Sequence, residues 1–142
     1  MTKELRRALP LVPAIAIGTS AVALAAGPVR GGSYRGTTAH GRDAISLKVS
    51  RNGRAVSVSV PNPPGYSSGC GGPAVQKTRP ASISGGGTFK GTINYEFALL
   101  RKTVVKVFFS GRFSGRSVRG TVRSQYVYSR ACSGSTSFSA KA

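Results

Sequence analysis

From Ser33 onward the apolar residues of this chain recur at every second position, and that period dictates β-structure. Ile45, Leu47 and Val49 alternate with Ser46, Lys48 and Ser50, and Val56, Val58 and Val60 alternate with Ser57 and Ser59. Successive side chains of an extended strand point to opposite faces, so each run has one apolar and one polar face. Residues 88–97 repeat the pattern. Phe89, Ile93, Tyr95 and Phe97 share one side with Gly91, and Thr92, Asn94 and Glu96 take the other. In residues 117–128, Val118, Gly120, Val122, Tyr126 and Tyr128 oppose Ser117, Arg119, Thr121, Arg123 and Gln125. Residues 103–109 are apolar on both faces, as in a central or covered strand. Residues 135–141 close the chain with Phe138 and Ala140 as their inward pair. No segment after residue 32 carries a convincing helical period, although residues 95–102 have room for one helical turn.

The breaks between these runs are legible too. Asn52-Gly53, between Arg51 and Arg54, supplies the two positive-φ positions of a type I′ turn and predicts a β-hairpin. Residues 61–73 hold four prolines and four glycines, which block both helix and ladder pairing and predict a loop. Residues 74–84 read either as two short strands around Val75 and Ile83 broken at Pro80 or as a strand and a turn, and Gly85-Gly86-Gly87 is a turn. About eight short strands with turn signals between them predict an all-β domain, an antiparallel β-sandwich or flattened barrel.

A motif, G-x-aromatic-x-G, recurs at Gly32–Gly36, Gly87–Gly91 and Gly111–Gly115, with a partial copy in Val118-Arg119-Gly120-Thr121. Its irregular spacing excludes a solenoid. The ring and the second glycine lie two apart, on one strand face, so the glycine leaves room for a neighbouring ring to cross the backbone. The expected role is core packing at bends in the sheet.

These motifs carry a resemblance. Gly32-Ser33-Tyr34-Arg35-Gly36-Thr37, the hairpin at Asn52-Gly53, Gly111-Arg112-Phe113-Ser114-Gly115 with Val118-Arg119-Gly120-Thr121, and the closing Cys132-Ser133-Gly134 with Phe138-Ser139-Ala140 look like those of small secreted β-rich actinobacterial proteins of unknown function. The resemblance covers most of the chain after Gly32. It implies export and a β-fold, and it implies no activity.

The first 25 residues have the order of a secretory signal peptide. Lys3, Arg6 and Arg7 form a basic start, residues 8–24 an apolar run, and Ala23-Leu24-Ala25 an A-x-A cleavage site. Pro10, Pro13 and Gly18 interrupt the run, which argues against a stable membrane anchor. The expected product is a secreted, extracellular protein with one domain, residues 26–142.

Export bears on the two cysteines. In an oxidising compartment Cys70 and Cys132 are expected to form a disulfide. Neither has a CxxC partner or a nearby His, so a metal site is not expected.

The charge is extreme. Twenty-one Lys and Arg stand against three acids, a formal net charge of +18, and Asp43 and Glu96 are the only acids after residue 25. Such an excess suits anionic partners: cell-wall polymer, acidic glycan or nucleic acid. Arg112, Arg116, Arg119, Arg123 and Arg130 crowd one region and are the candidate polyanion-binding residues, with Tyr66, Tyr126 and Tyr128 as candidate exposed rings. The bland alternative is a structural or protein-interaction β domain with no anionic ligand, whose charge serves solubility.

Enzyme readings fail on inventory. A glycosidase needs paired carboxyl groups, and only Asp43 and Glu96 remain, with Glu96 inside a basic, aromatic strand. A hydrolase would have to use His40 and Asp43, which lie in a short loop with no G-x-S-x-G near them. The glycine-rich stretches precede strands and are not followed by G-K-S/T, so no phosphate loop is expected. The expected protein is non-catalytic, without metal or cofactor, and no small-molecule substrate is identified.

Overall fold

The computed structural model describes residues 26–39, 43–65, 74–97, 102–127 and 130–142. His40, Cys70, Tyr66, Tyr128 and the proposed signal segment, residues 1–25, lie outside them. Nine strands form: β1 (Ser33–Thr38), β2 (Ala44–Val49), β3 (Ala55–Ser59), β4 (Ala74–Lys77), β5 (Ala81–Ser82), β6 (Thr88–Phe97), β7 (Thr103–Ser114), β8 (Ser117–Tyr126) and β9 (Gly134–Lys141). A 3-10 turn, Arg130–Cys132, precedes β9. The domain is all-β, as the period of two requires.

All nine strands belong to one sheet, in the order β4-β6-β7-β8-β9-β1-β2-β3-β5, and every neighbouring pair is antiparallel. The sheet curls into a half-barrel, consistent with the expected β-sandwich or flattened barrel. Long antiparallel sheets twist, and curling lets one apolar face pack on itself. The two edge strands are consecutive in sequence. Thr78-Arg79-Pro80 carries the chain from β4 at one edge to β5 at the other, and this strap draws the edges together into a seam.

The alternation read from the sequence sets the core. Ile45, Leu47 and Val49 of β2, Val56 and Val58 of β3, Phe89, Ile93 and Tyr95 of β6, and Val118 and Val122 of β8 are all buried. The alternate residues of β2 and β8 face solvent. Residues 103–109 prove to be the first half of a longer strand, β7, which continues inward-outward through Phe113. Val104 and Val105 are both buried, the one break in its alternation.

The recurrent glycines sit where rings cross the backbone. In the register Gly91 faces Phe109, Gly111 faces Phe89 and Gly120 faces Phe138. A methyl carbon on Gly91 would lie 2.5 Å from Cζ of Phe109, and one on Gly111 would lie 2.7 Å from Cζ of Phe89. One on Gly120 would meet Phe138 at 2.7 Å and the Ser110 carbonyl oxygen at 2.0 Å. Rings fill the space that the missing side chains leave, and the backbones approach closely enough to bend the sheet. Phe89 and Phe113 then pack with centroids 5.0 Å apart, and Tyr34 meets Phe113 edge-on at 5.0 Å.

Polar side chains close both ends of the half-barrel. The Tyr34 hydroxyl accepts from Val29 N–H at 2.8 Å and donates to the Gly115 carbonyl at 2.6 Å, holding the segment before β1 against the β7–β8 turn. At the other end the buried Ser124 hydroxyl donates to the Pro64 carbonyl and accepts from Gly134 N–H at 3.1 Å.

The hairpin at Asn52-Gly53 forms, but its loop is longer than the two-residue link expected. Strand pairing stops at Val49 and Val56, and Arg51–Arg54 bulge out as a four-residue loop closed by Ser50 N–H to the Ala55 carbonyl at 2.9 Å. Asn52 Oδ1 accepts from Arg54 N–H at 3.0 Å, so the asparagine shapes the loop with its side chain. Gly53, at φ +74°, supplies the left-handed step. Tyr95–Phe97, where a helical turn had room, belong to β6.

Candidate functional site

The outward face of β6–β9 and β1 carries the charge. Arg112 on β7 and Arg119 on β8 are directly opposite one another, and both are exposed. Their other neighbours in the row are Thr88 on β6 and Ser139 on β9. Side chains so paired have Cβ atoms about 4.5–5.5 Å apart, and like charges there repel. One row away Ser110 and Thr121 face each other with hydroxyl oxygens 3.2 Å apart. A further row brings Arg123 opposite Phe108, its guanidinium carbon 4.7 Å from the ring centre, with Ser135 on its other side. No carboxylate therefore flanks Arg112, Arg119 or Arg123 in the register.

The five arginines predicted as a group divide. Arg112 and Arg119 meet, and Arg123 follows two rows on. Arg116 sits in the tight β7–β8 turn, where its Nη2 donates to the Ala142 carbonyl at 3.3 Å and its own carbonyl accepts from Ala142 N–H at 2.8 Å. It ties down the last residue of the sequence. Arg130 opens the 3-10 turn beyond the opposite end of β8, away from the Arg112–Arg119 row.

Sequence reading passed over other cations of this face. Arg35 on β1 stands directly opposite Lys141 on β9, a second like-charged pair, and Lys90 on β6 lies opposite Ser110. The period of two already pointed these side chains outward. Their neighbours were hidden because β1 and β9 are the first and last strands in sequence. The outward residues of β9 between these cations are Ser135, Ser137 and Ser139, all exposed.

Two grooves open on this surface. One, of about 750 Å³, is lined by Ser82, Ser84, Lys90, Arg112, Arg119 and Thr121 among others. The other, of about 1140 Å³, follows the seam between the strap and β6, and includes Lys77, Arg79, Lys90, Thr92, Asn94 and Glu96. Ser82 and Lys90 line both. The seam exists because β4 pairs with β6 only from Asn94 to Phe97 and β5 pairs only with β3. Asn94 Oδ1 is, among the described residues, the buried side-chain polar atom without a hydrogen-bond partner.

The tyrosines do not supply exposed rings among the described residues. Tyr34 and Tyr95 are buried, and Tyr126 packs half-buried against the core. Burial pushes the Tyr95 hydroxyl well above the ordinary phenol range. Asp43 uses its backbone to close the turn into β2: its N–H donates to Thr38 Oγ1 at 3.2 Å and its carbonyl accepts from Thr38 N–H at 2.9 Å. Among the described residues no group of three His, Cys, Asp or Glu could hold a metal ion, and no helix is long and apolar enough to cross a membrane. Cys132 ends the 3-10 turn and is not a free thiol.

No family model matches this chain, and neither a curated protein nor a solved structure matches it.

Proposed function

We propose that this domain is a secreted, non-catalytic binding module of the cell envelope that engages polyanions through the outer face of β6–β9. The observation that carries the reading is the Arg112–Arg119 pair, two arginines directly opposed in the register of an open sheet face with Thr88 and Ser139 as their row neighbours. Like charges so placed repel, and an anion between them would relieve the repulsion. Arginine suits that task because its planar fork binds phosphate, sulfate or carboxylate by two parallel hydrogen bonds. The test is retention on immobilised heparin across a salt series. Wild-type protein should bind at low salt, with log affinity falling linearly with log salt. Arg112→Ser/Arg119→Ser should shorten retention and make that slope shallower by about 2 on the counterion-release scale. Retention indifferent to both substitutions would return the charge to solubility, and the domain to a structural or protein-interaction role.

Export and the disulfide belong to the same reading. Ala26, the first residue after the proposed cleavage site, is already held by the fold, since its carbonyl accepts from Gly115 N–H at 2.9 Å. Protein recovered from culture fluid should begin at or near Ala26, and an intact Met1 in the membrane fraction would overturn cleavage. Cys132 is not a free thiol, and the sequence offers it one intramolecular partner, Cys70. Non-reducing peptide mapping should recover the two linked, and free thiols at both positions would exclude the bridge.

A further inference from the structure

The two grooves share Ser82 and Lys90, so they form one continuous cleft that runs along the seam and turns across β7 onto β8. We infer that this cleft binds an acidic glycan in extended form and discriminates against nucleic acid. The inference rests on the polyanion reading above and names the class of polymer.

Charge gives the first part. Lys77, Arg79, Lys90, Arg112 and Arg119 succeed one another along the cleft, and Glu96 is the one carboxylate in its lining, at the β4 end. The span from Glu96 to Thr88 on β6 alone is roughly 26 Å at about 3.3 Å per residue. Cations spread over such a distance suit an extended chain with repeated negative charge and not a single small anion.

The polar lining gives the second part. Hydroxyls of Ser82, Thr92, Ser110 and Thr121 alternate with the cations, and a hydroxyl can both donate and accept; the Ser110–Thr121 contact uses one donor of that pair and leaves the other for a ligand. Sugar hydroxyls need that dual capacity. Bases need something else: proteins that hold single-stranded nucleic acid without sequence preference stack its bases on exposed aromatic rings. Among the described residues the one aromatic ring in the lining is Phe89, and it is 4% exposed. Phe108, outward on the next row, lies beneath the Arg123 guanidinium. The described lining thus has the chemistry for charged sugars and presents no platform for bases.

The test uses the full mature chain and two probes of equal length and formal charge, an oligogalacturonate and an oligodeoxythymidylate, titrated by calorimetry at two salt concentrations. The wild-type protein should bind the glycan at least fivefold more tightly, and its preference should widen at the higher salt as the purely electrostatic part is screened. Thr92→Val/Thr121→Val removes two exposed hydroxyls, keeps every charge and uses residues at home in strands. It should lose about fivefold in glycan affinity with no change for the oligonucleotide, at an unchanged melting temperature. Equal or tighter binding of the oligonucleotide by the wild type overturns the inference, as does a hydroxyl-deleted variant that binds glycan as well as the parent. Binding of neither probe would instead defeat the polyanion reading beneath it. The wild-type comparison stands whether or not the variant folds.

Discussion

The Tyr95 hydroxyl on β6 donates to the carbonyl of Val60, just beyond the end of β3, and so links the two halves of the sheet across the seam. The amide of the same residue is served from β4: Val60 N–H donates to Gln76 Oε1 at 3.3 Å, and the Ser59 hydroxyl reaches that oxygen at 3.3 Å too. Both backbone groups of Val60, a fully buried residue, are thus satisfied by side chains from β4 and β6 on the far side of the seam. Ladder pairing cannot do this, because β3 and β4 are not neighbours in the sheet. Tyr95→Phe keeps the ring and removes the donor. It should cost about 1–3 kcal/mol, the penalty for leaving a buried carbonyl unpaired, read as a lower denaturation midpoint with an unchanged slope.

The same hydroxyl predicts how stability responds to alkali. Burial raises its pKa in the folded protein above the unfolded phenol value of about 10, so the neutral form is the one the fold favours. Its contribution is complete below pH 10 and is lost as pH rises toward the folded value, because the unfolded chain releases the proton first. Stability of the wild type should therefore decline above about pH 10 more steeply than that of Tyr95→Phe. Parallel declines would place the alkaline sensitivity elsewhere.

Two of the ring-covered glycines, Gly91 and Gly120, should not respond alike to alanine. At Gly91 the nearest obstruction is the tip of the Phe109 side chain, which can swing a few tenths of an ångström. At Gly120 the added carbon would meet the backbone oxygen of Ser110 at 2.0 Å, and that oxygen belongs to a paired strand. Gly91→Ala should cost about 1 kcal/mol and Gly120→Ala about 3 kcal/mol or more, following the range for overpacked cores. Thermal melts of the two variants decide it, and equal losses would mean that the sheet relaxes at β8 as readily as the ring does at β6.

Much of the fold was legible because a period of two needs only local information. Phe89, Ile93 and Tyr95 had to face one way whichever strand lay beside them. Pro80 and the glycine triplet marked breaks that any neighbour would respect. What stayed hidden depended on long-range pairing. Nothing in Arg35 or Lys141 says that strands at opposite ends of the sequence will pair, and so the Arg35–Lys141 row was missed. Conversely, Arg116 and Arg130 were grouped with Arg119 because they are near it in sequence, but a tight turn and a 3-10 turn carry them to opposite ends of β8. The Asn52-Gly53 signal located its hairpin correctly. Loop length followed from the hydrogen bonds of Ser50 and Asn52, which a dipeptide rule does not weigh.

Asn94 offers a way to raise stability without touching the arginines. Its Oδ1 is buried and unpartnered in a β6 position flanked by Lys77 and Lys106. A buried acceptor with no donor gives up its hydration for nothing, and asparagine is a poor strand former. Asn94→Thr should raise the unfolding free energy by about 1 kcal/mol in a denaturant melt. A loss of that size would show that the amide is held by an ordered water, which the shorter side chain forfeits.

The arginines of the outer face should separate stability from binding. Arg119 stands against Arg112 with no acid beside either, so Arg119→Ser relieves a like-charge pair and should stabilise by about 0.2–1 kcal/mol at low salt. Arg123 instead lies over the Phe108 ring, and Arg123→Ser forfeits a cation–π contact of about 0.5–1 kcal/mol while uncovering the ring. The two substitutions remove the same charge from the same strand face, yet their effects on stability should have opposite signs. Salt should distinguish them further. The repulsion between Arg112 and Arg119 is screened as the Debye length falls from about 10 Å at 0.1 M to about 3 Å at 1 M, so the gain from Arg119→Ser should vanish at high salt. The loss from Arg123→Ser should persist, because burial of the Phe108 face is not screened. Affinity for heparin should fall for both. A stability gain in the absence of ligand joined to a binding loss is the signature expected of a residue kept for an anion. If Arg119→Ser destabilises the free protein instead, Arg119 is held by structural contacts and the Arg112–Arg119 row no longer argues for a ligand.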